Sequence, residues 1–276
     1  MKNYPLFYNL PHLTGNNLVI RILPMKYKIL FLLLFLNSSS LLAKESVKEI
    51  FSMNLHCAIE EWEFRVNTIL DEVVKINPDI ISFQEVCVNK KLNMISFIKN
   101  GLMNRGYHSK KVESFFTHKA WDKYDEYILM FSKLDVQKSI KEFLPKSPII
   151  RGYIALKIQG TWYLNVHLEH RRDYAKYRKE QIHYLINKFS SSPHFIMGDF
   201  NSSPWDEEQT ELHENKYQFY FPGLTHPQPN PTRAIDGFWI SNQVMGIKFE
   251  AARLFEEAVN GIFLSDHLAV KLKVLD

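Results

Sequence analysis

Two hydrophobic periods alternate along this chain. Glu49 to His56 is mostly apolar and reads as a strand. Trp62, Val66, Ile69, Leu70 and Val73 then recur at helical spacing, predicting a helix over 60–75 that Asn77-Pro78 ends. Asp79 to Val86 is a short apolar run and predicts the next strand, so the three make a strand–helix–strand unit with parallel neighbours. A second helix is expected over 91–103, closed by Asn104-Arg105-Gly106, and a strand over 127–131. Ile149–Ile158 and Trp162–Leu168 flank Gln159-Gly160-Thr161 as a hairpin. Tyr174 to Phe189 carries an apolar stripe of helical period. Ser203-Pro204-Trp205-Asp206 has the signature of a short helix start. Mixed βαβ units and hairpins fit an α/β sandwich: two mixed β-sheets packed face to face with helices outside, in four layers.

One apolar run breaks the pattern. Lys26 and Lys28 precede Ile29 to Leu36, and small and polar residues follow up to Ala43. This is the order of a secretory leader. The run is short of the about 20 apolar residues that span a bilayer, so no stable membrane span is expected. An uncleaved interfacial or core helix is the competing reading. The organisation expected is a non-native start or disordered extension over 1–24, a signal peptide over 25–43 and one domain over 44–276, in a periplasmic or secreted protein. The leader also changes the charge argument. The 276-residue chain has 34 basic and 30 acidic residues, but the body from Lys44 onward has equal numbers. Bulk charge therefore gives no support for avid nucleic-acid binding. Cys57 and Cys87, in an exported protein, are expected to form one disulfide, against the plainer reading of two buried thiols.

Six apolar segments each deliver a polar side chain: Asn54, Glu85, His167, Asp199, Asp236 and His267. Burying such groups is costly unless they pair or bind a metal, so together they make a site hypothesis. Asp199 and Asn201 follow an apolar lead-in and, two apart in a strand, face the same side. By itself that segment is equally well a turn after a strand. His56, His170, His183 and His194 read as packing residues. Arg171 to Lys179 is the most basic stretch of the body and reads first as a solvated helix face.

Taken together, Phe83-Gln-Glu-Val, Asn165-Val-His-Leu-Glu-His with Arg178 and Gln181 downstream, Met197-Gly-Asp-Phe-Asn-Ser-Ser-Pro, Ala234-Ile-Asp-Gly-Phe-Trp-Ile-Ser and Leu264-Ser-Asp-His resemble, in order and spacing, the motifs of the endonuclease/exonuclease/phosphatase superfamily with its DNase I-like fold. The resemblance runs from Ile50 to the end of the chain. It implies a metal-dependent phosphoesterase with Mg²⁺ as cofactor, or Mn²⁺ or Ca²⁺ in its place. Glu85 would be the main metal ligand, with Asp266 and Asn54 contributing directly or through water. Asp199 would orient or deprotonate the attacking water, and Asn201 and His167 would hold phosphate oxygens. Asp236 would orient His267, leaving open whether Asp199 or that pair is the base. Tyr124-Asp125-Glu126-Tyr127 departs from the family's Gly- and amide-containing segment, placing an acid near the phosphate site. The expected substrate is a phosphodiester, DNA or RNA foremost, and the expected state is a monomer. The alternatives are a phospholipid or phosphoinositide esterase and a catalytically silent binder with the same fold.

Overall fold

The computed structural model describes residues 46–244 and 246–275. The expected leader and extension lie outside the described residues. Two six-stranded mixed sheets form the frame, and each is built around a central parallel pair.

In the first sheet, β1 (Glu49–Asn54) and β2 (Ile80–Val88) are parallel and joined by α1 (Trp62–Ile76). The helix α2 (Met94–Asn104) follows; the Asn93 side chain caps it by accepting from the Ser96 N–H at 2.9 Å. Then come β3 (Lys111–Ala120) and β4 (Tyr124–Ser132), and the C-terminal strands β11 (Lys248–Leu254) and β12 (Ala269–Leu275) return to this sheet. Its order is β11-β12-β1-β2-β4-β3.

The second sheet holds β5 (Lys138–Phe143), β6 (Gly152–Ile158), β7 (Thr161–His167), β8 (His194–Asp199), β9 (Gln218–Tyr220) and β10 (Asp236–Ile240), in the order β5-β6-β7-β8-β10-β9. Here β7 and β8 are the parallel pair, joined by α3 (Ala175–Phe189). A short α4 (Thr210–Glu214) follows β8.

Strand alternation sorts side chains into layers. Phe51, Met53, Ile81, Phe83, Leu129 and Phe131 face Val66, Ile69, Leu70, Val73, Ile98 and Leu102 of α1 and α2. Ile50, Ile80, Ile128 and Met130 face the other way, meeting Ile154, Leu156, Phe195, Met197 and Phe238 of the second sheet. Tyr153, Leu164, Val166, Ile196 and Trp239 cover α3 and α4. The result is the four-layer sandwich expected from the sequence.

One polar bridge crosses the inter-sheet layer. Gln84 donates to Asn165 Oδ1 at 2.8 Å, and Asn165 Nδ2 donates to the carbonyls of Phe83 and Leu129 at 3.0 Å. Gly198 lies beside it with φ +129°. A Cβ there would meet the Val166 carbonyl at 2.1 Å, so this strand position excludes a side chain.

Four strands have no counterpart in the sequence reading: β3, β5, β9 and β11. They are the four edges of the two sheets. An edge strand has one neighbour and carries charged residues, so its apolar signal is weak. The helix start expected at Ser203 is a turn instead. The Asp206 carboxylate accepts from the Ser203 N–H at 2.7 Å, and regular helix begins only at Glu207 as a single 3₁₀ turn. Among the described residues no helix is long and apolar enough to cross a membrane.

Candidate active site

Both parallel pairs point their C-terminal ends at one open cleft of about 790 Å³. Asn54 ends β1, His167 ends β7 and Asp199 ends β8, with His167 and Asp199 side by side in register. Asp236 starts the antiparallel β10 directly opposite Asp199. Glu85 arrives differently. The β2–β4 register shifts between Phe83 and Val86, and Glu85 has φ +53°. A bulge re-aims a side chain that plain alternation would send elsewhere, and this one turns Glu85 into the cleft.

At the floor, Asn54 Nδ2 donates to Glu85 Oε1 and to Asp199 Oδ2, both at 3.1 Å. Asp199 Oδ1 accepts the Asn201 backbone N–H at 2.8 Å. The His267 imidazole donates from Nδ1 to Asp236 Oδ2 at 2.9 Å, and its Nε2 lies 3.8 Å from Asp199 Oδ2. Burial alone would lower the pKa of His267. The carboxylates of Asp236 and Asp199 override it and raise the pKa to about 10, so the ring is cationic at neutral pH. The Asn201 amide spends one N–H on the Leu168 carbonyl at 3.0 Å and still lines the cleft.

His167 has the opposite character. Burial, reinforced by the Arg151 guanidinium, holds its pKa well below the usual imidazole value. Arg151 Nη1 stands 3.0 Å from His167 Nδ1 and 3.1 Å from Glu126 Oε1. Guanidinium only donates, so Nδ1 is an acceptor and the ring proton sits on Nε2, 3.5 Å from Asp199 Oδ2. The acid at Glu126, unexpected beside a phosphate site, is thus neutralised by a buried arginine.

Of the expected metal ligands, Asn54 hydrogen-bonds Glu85, and Glu85 and Asp266 line one cleft. Burial and the neighbouring Glu126 push the Glu85 carboxyl up to about 8, against the pull of the Asn54 hydrogen bond. A carboxylate so placed among acids fits a hard divalent cation, which would supply the compensating charge. Asp266 lines the same cleft and offers carboxylate oxygens. Asn54 presents its amide nitrogen to Glu85 and Asp199, so in this arrangement it orients carboxylates.

Two staples hold the loops below these residues. Cys57 and Cys87 are joined by a disulfide with Cα atoms 5.1 Å apart, tying the turn after Asn54 to the strand just past Glu85. Arg65, buried on α1, donates to the carbonyls of Leu55, Cys57 and Leu264.

The profile of the Endonuclease/Exonuclease/phosphatase family matches residues 51–267, which takes in every residue of the floor. The chain belongs to that family. Members of this family are generally hydrolases of phosphoester bonds, typically dependent on a divalent metal. The fold is similar to that of an endonuclease/exonuclease/phosphatase family protein from Leptotrichia buccalis, with TM-score 0.70 and 16% identity, over 83% of this chain and 100% of that one. A truncated Caenorhabditis elegans TDP2 is similar with TM-score 0.63 and 19% identity, over 83% and 97%. A family protein from Bacteroides vulgatus gives TM-score 0.65 and 16% identity, over 84% and 99%. No curated protein matches the sequence.

Several residues that line the cleft carry no sign of it in the sequence. His56 and His170, read as packing residues, instead line the cleft with His118 and His226. His183 is also no core residue: it pairs at the surface with Glu211 at 2.7 Å. Of the four, only His194 packs inside, against the Tyr217 hydroxyl. The basic stretch divides too. Arg171 and Arg172 reach the cleft, whereas Arg178 is buried and donates to Glu208 at 2.8 Å. A histidine two residues past Asn54 carried no signal of its own, because its direction depends on a left-handed turn at φ +54°.

Proposed function

We propose that this chain is an exported, divalent-cation-dependent phosphodiesterase whose substrate is nucleic acid. The observation that carries the reading is the division of the cleft. Acids and paired histidines form its floor, while Lys119, Arg171, Arg172 and Arg233 line the walls. A polyanion wider than one phosphate suits such a site, and locally placed cations serve it although the body as a whole is neutral.

Glu85, with Asp266, would hold Mg²⁺, which when bound polarises the phosphoryl group and stabilises the leaving oxygen. Asp199 orients the attacking water and takes its proton, since both its oxygens are already positioned by the Asn54 side chain and the Asn201 backbone N–H. His267, already cationic, serves as a hydrogen-bond donor to a phosphate oxygen rather than as the base. His167 donates from Nε2, its tautomer set by Arg151. Asn201 adds its remaining amide N–H.

A phospholipid headgroup is the second reading. Trp121 and Ile150, 61% and 50% exposed, sit at the cleft and would meet a lipid surface. Hydrolysis of DNA and RNA, and of sphingomyelin and phosphoinositide vesicles, at matched Mg²⁺ and across a salt series separates the two. The nuclease reading expects cleavage that weakens steeply with salt and no lipid turnover. Efficient lipid turnover without cleavage of DNA or RNA overturns it.

A further inference from the structure

The cleft does not end at its wall. Beyond Lys119 lies a second recess of about 630 Å³, and Lys119 lines both. Three neighbouring strand ends build the recess. Val88 of β2 pairs with Asp125 of β4, and Asp125 pairs with Lys119 of β3. Adjacent strands lie about 4.8 Å apart, so Val88 and Lys119 stand about 10 Å from each other across Asp125. Consecutive strand residues face opposite ways: Glu126 lines the cleft and Asp125 lines the recess. The recess thus lies round the tip of the β3–β4 hairpin from the cleft, and Trp121 stands on that tip.

We propose that this recess is a second subsite, which takes the sugar–phosphate backbone of a nucleic-acid strand where it leaves the cleft. The inference rests on the nucleic-acid reading of the cleft and deepens it: the substrate is a strand held several nucleotides beyond the phosphate that reacts.

Charge comes first. Lys90, Lys91, Lys119 and Lys123 line the recess against Asp122 and Asp125, which leaves it net positive. Among the described residues none of these four lysines forms an ion pair, whereas Lys75, Lys110, Lys133 and Lys188 each have a carboxylate partner. Lysines without such partners keep their charge for phosphates. Their placement is also fixed. Asn89 Oδ1 accepts the N–H groups of Lys91 and Leu92 at 2.8 and 3.0 Å, and the Asn89 N–H donates to the Leu92 carbonyl at 2.8 Å. This tight turn presents Lys90 and Lys91, and the Cys57–Cys87 bond holds the strand that leads into it. Between cleft and recess, Trp121 is 61% exposed and offers a ring on which a base stacks. Its ring meets Tyr124 edge-on with centroids 6.4 Å apart, and Lys123 Nζ lies 4.8 Å from the Tyr124 ring. Shape decides against a lipid surface here. A membrane is flat and meets residues that protrude, whereas a flexible strand follows a recess round a hairpin tip.

The test is steady-state kinetics of the whole protein with Mg²⁺ on bis-(p-nitrophenyl) phosphate and on single strands of about 4 and about 30 nucleotides, across a salt series. Lys90→Ala/Lys91→Ala is expected to raise KM for the long strand about fivefold or more with kcat held. It should flatten the log–log salt slope by about 1.4, because each phosphate contact on a single strand contributes about 0.7. Turnover of the small phosphate should stay at the wild-type level, which also establishes that the variant is folded. Lys90→Arg/Lys91→Arg should restore wild-type behaviour on the long strand. A long-strand KM within about twofold of wild type, with the salt slope unchanged, overturns the subsite and leaves the nuclease reading standing. Equal loss on all three substrates overturns it too. So does lost binding to phosphatidylserine vesicles with the long strand cleaved as before, which assigns the lysines to a membrane. Absence of cleavage of either strand by the wild type removes the nucleic-acid reading itself, and the subsite with it.

Discussion

The floor and the walls of the cleft are built by different rules. At the floor, Asn54, Asp199, Asp236 and His267 are buried, and their polar atoms are engaged with one another. Asn54, Asp199 and Asp236 sit on the ends of inner strands, where sheet neighbours on both sides constrain them, and His267 lies two residues before β12. On the walls, Arg171 and Arg172 are exposed and lie in the segment between β7 and α3, while Trp121 lies in the turn between β3 and β4. On the proposed function, reaction chemistry rests on the rigid part of the fold, and substrate choice on the part that tolerates change.

The sharpest test of this contrast is Glu85→Gln. It removes a charge and almost no volume, and should lower turnover by about 10³–10⁴-fold with the fold intact. Near-normal turnover at saturating Mg²⁺ would mean that the floor does not depend on that carboxylate.

Asp236→Asn and His267→Ala should each cost about 10²–10³-fold. The double variant should be no slower than the worse single one, because the pair acts as a unit. Kinetics of the four proteins check this, and fully multiplicative losses would separate the roles.

Removing the staple should act on stability instead. The Cys57–Cys87 bond spans 30 residues. Replacing both cysteines with serine should cost roughly 3–4 kcal/mol in the chain-entropy description, measured by urea unfolding. An unchanged midpoint would show that Arg65 and the core alone hold the floor loops.

The smallest effect belongs to the walls. Arg171→Ala should raise KM for a long oligonucleotide severalfold and reduce the salt slope by about one. Its effect on a small bis-aryl phosphate should be much weaker. Equal effects on both substrates would erase the distinction between floor and wall.

What was legible in the chain follows the same division. The eight inner strands carry strong apolar patterns because they have neighbours on both sides. The edges β3, β5, β9 and β11 do not, and were not legible. Site residues embedded in inner strands, such as His167, Asp199 and Asp236, stood out as polar interruptions of apolar runs. His226 lies outside such runs, where a polar residue is ordinary and its direction is set by loop conformation; His56 and Arg151 stand at the ends of the runs 49–56 and 149–158, just beyond the strands that form, so strand alternation does not set their direction.

The sequence by itself determined the layers, the helices α1 to α3 and the family motifs, because periodicity and local order record which face of each element is buried. Tertiary structure alone decided how those motifs meet. Only the paired sheets bring Asn54 against Asp199, 145 residues away along the chain. Only the bulge turns Glu85 into the cleft, and only the burial of Arg151 beside His167 and of His267 between two carboxylates shifts the two histidines' pKa values in opposite directions. Such outcomes depend on distance and desolvation in the folded chain, which no local pattern of residues encodes.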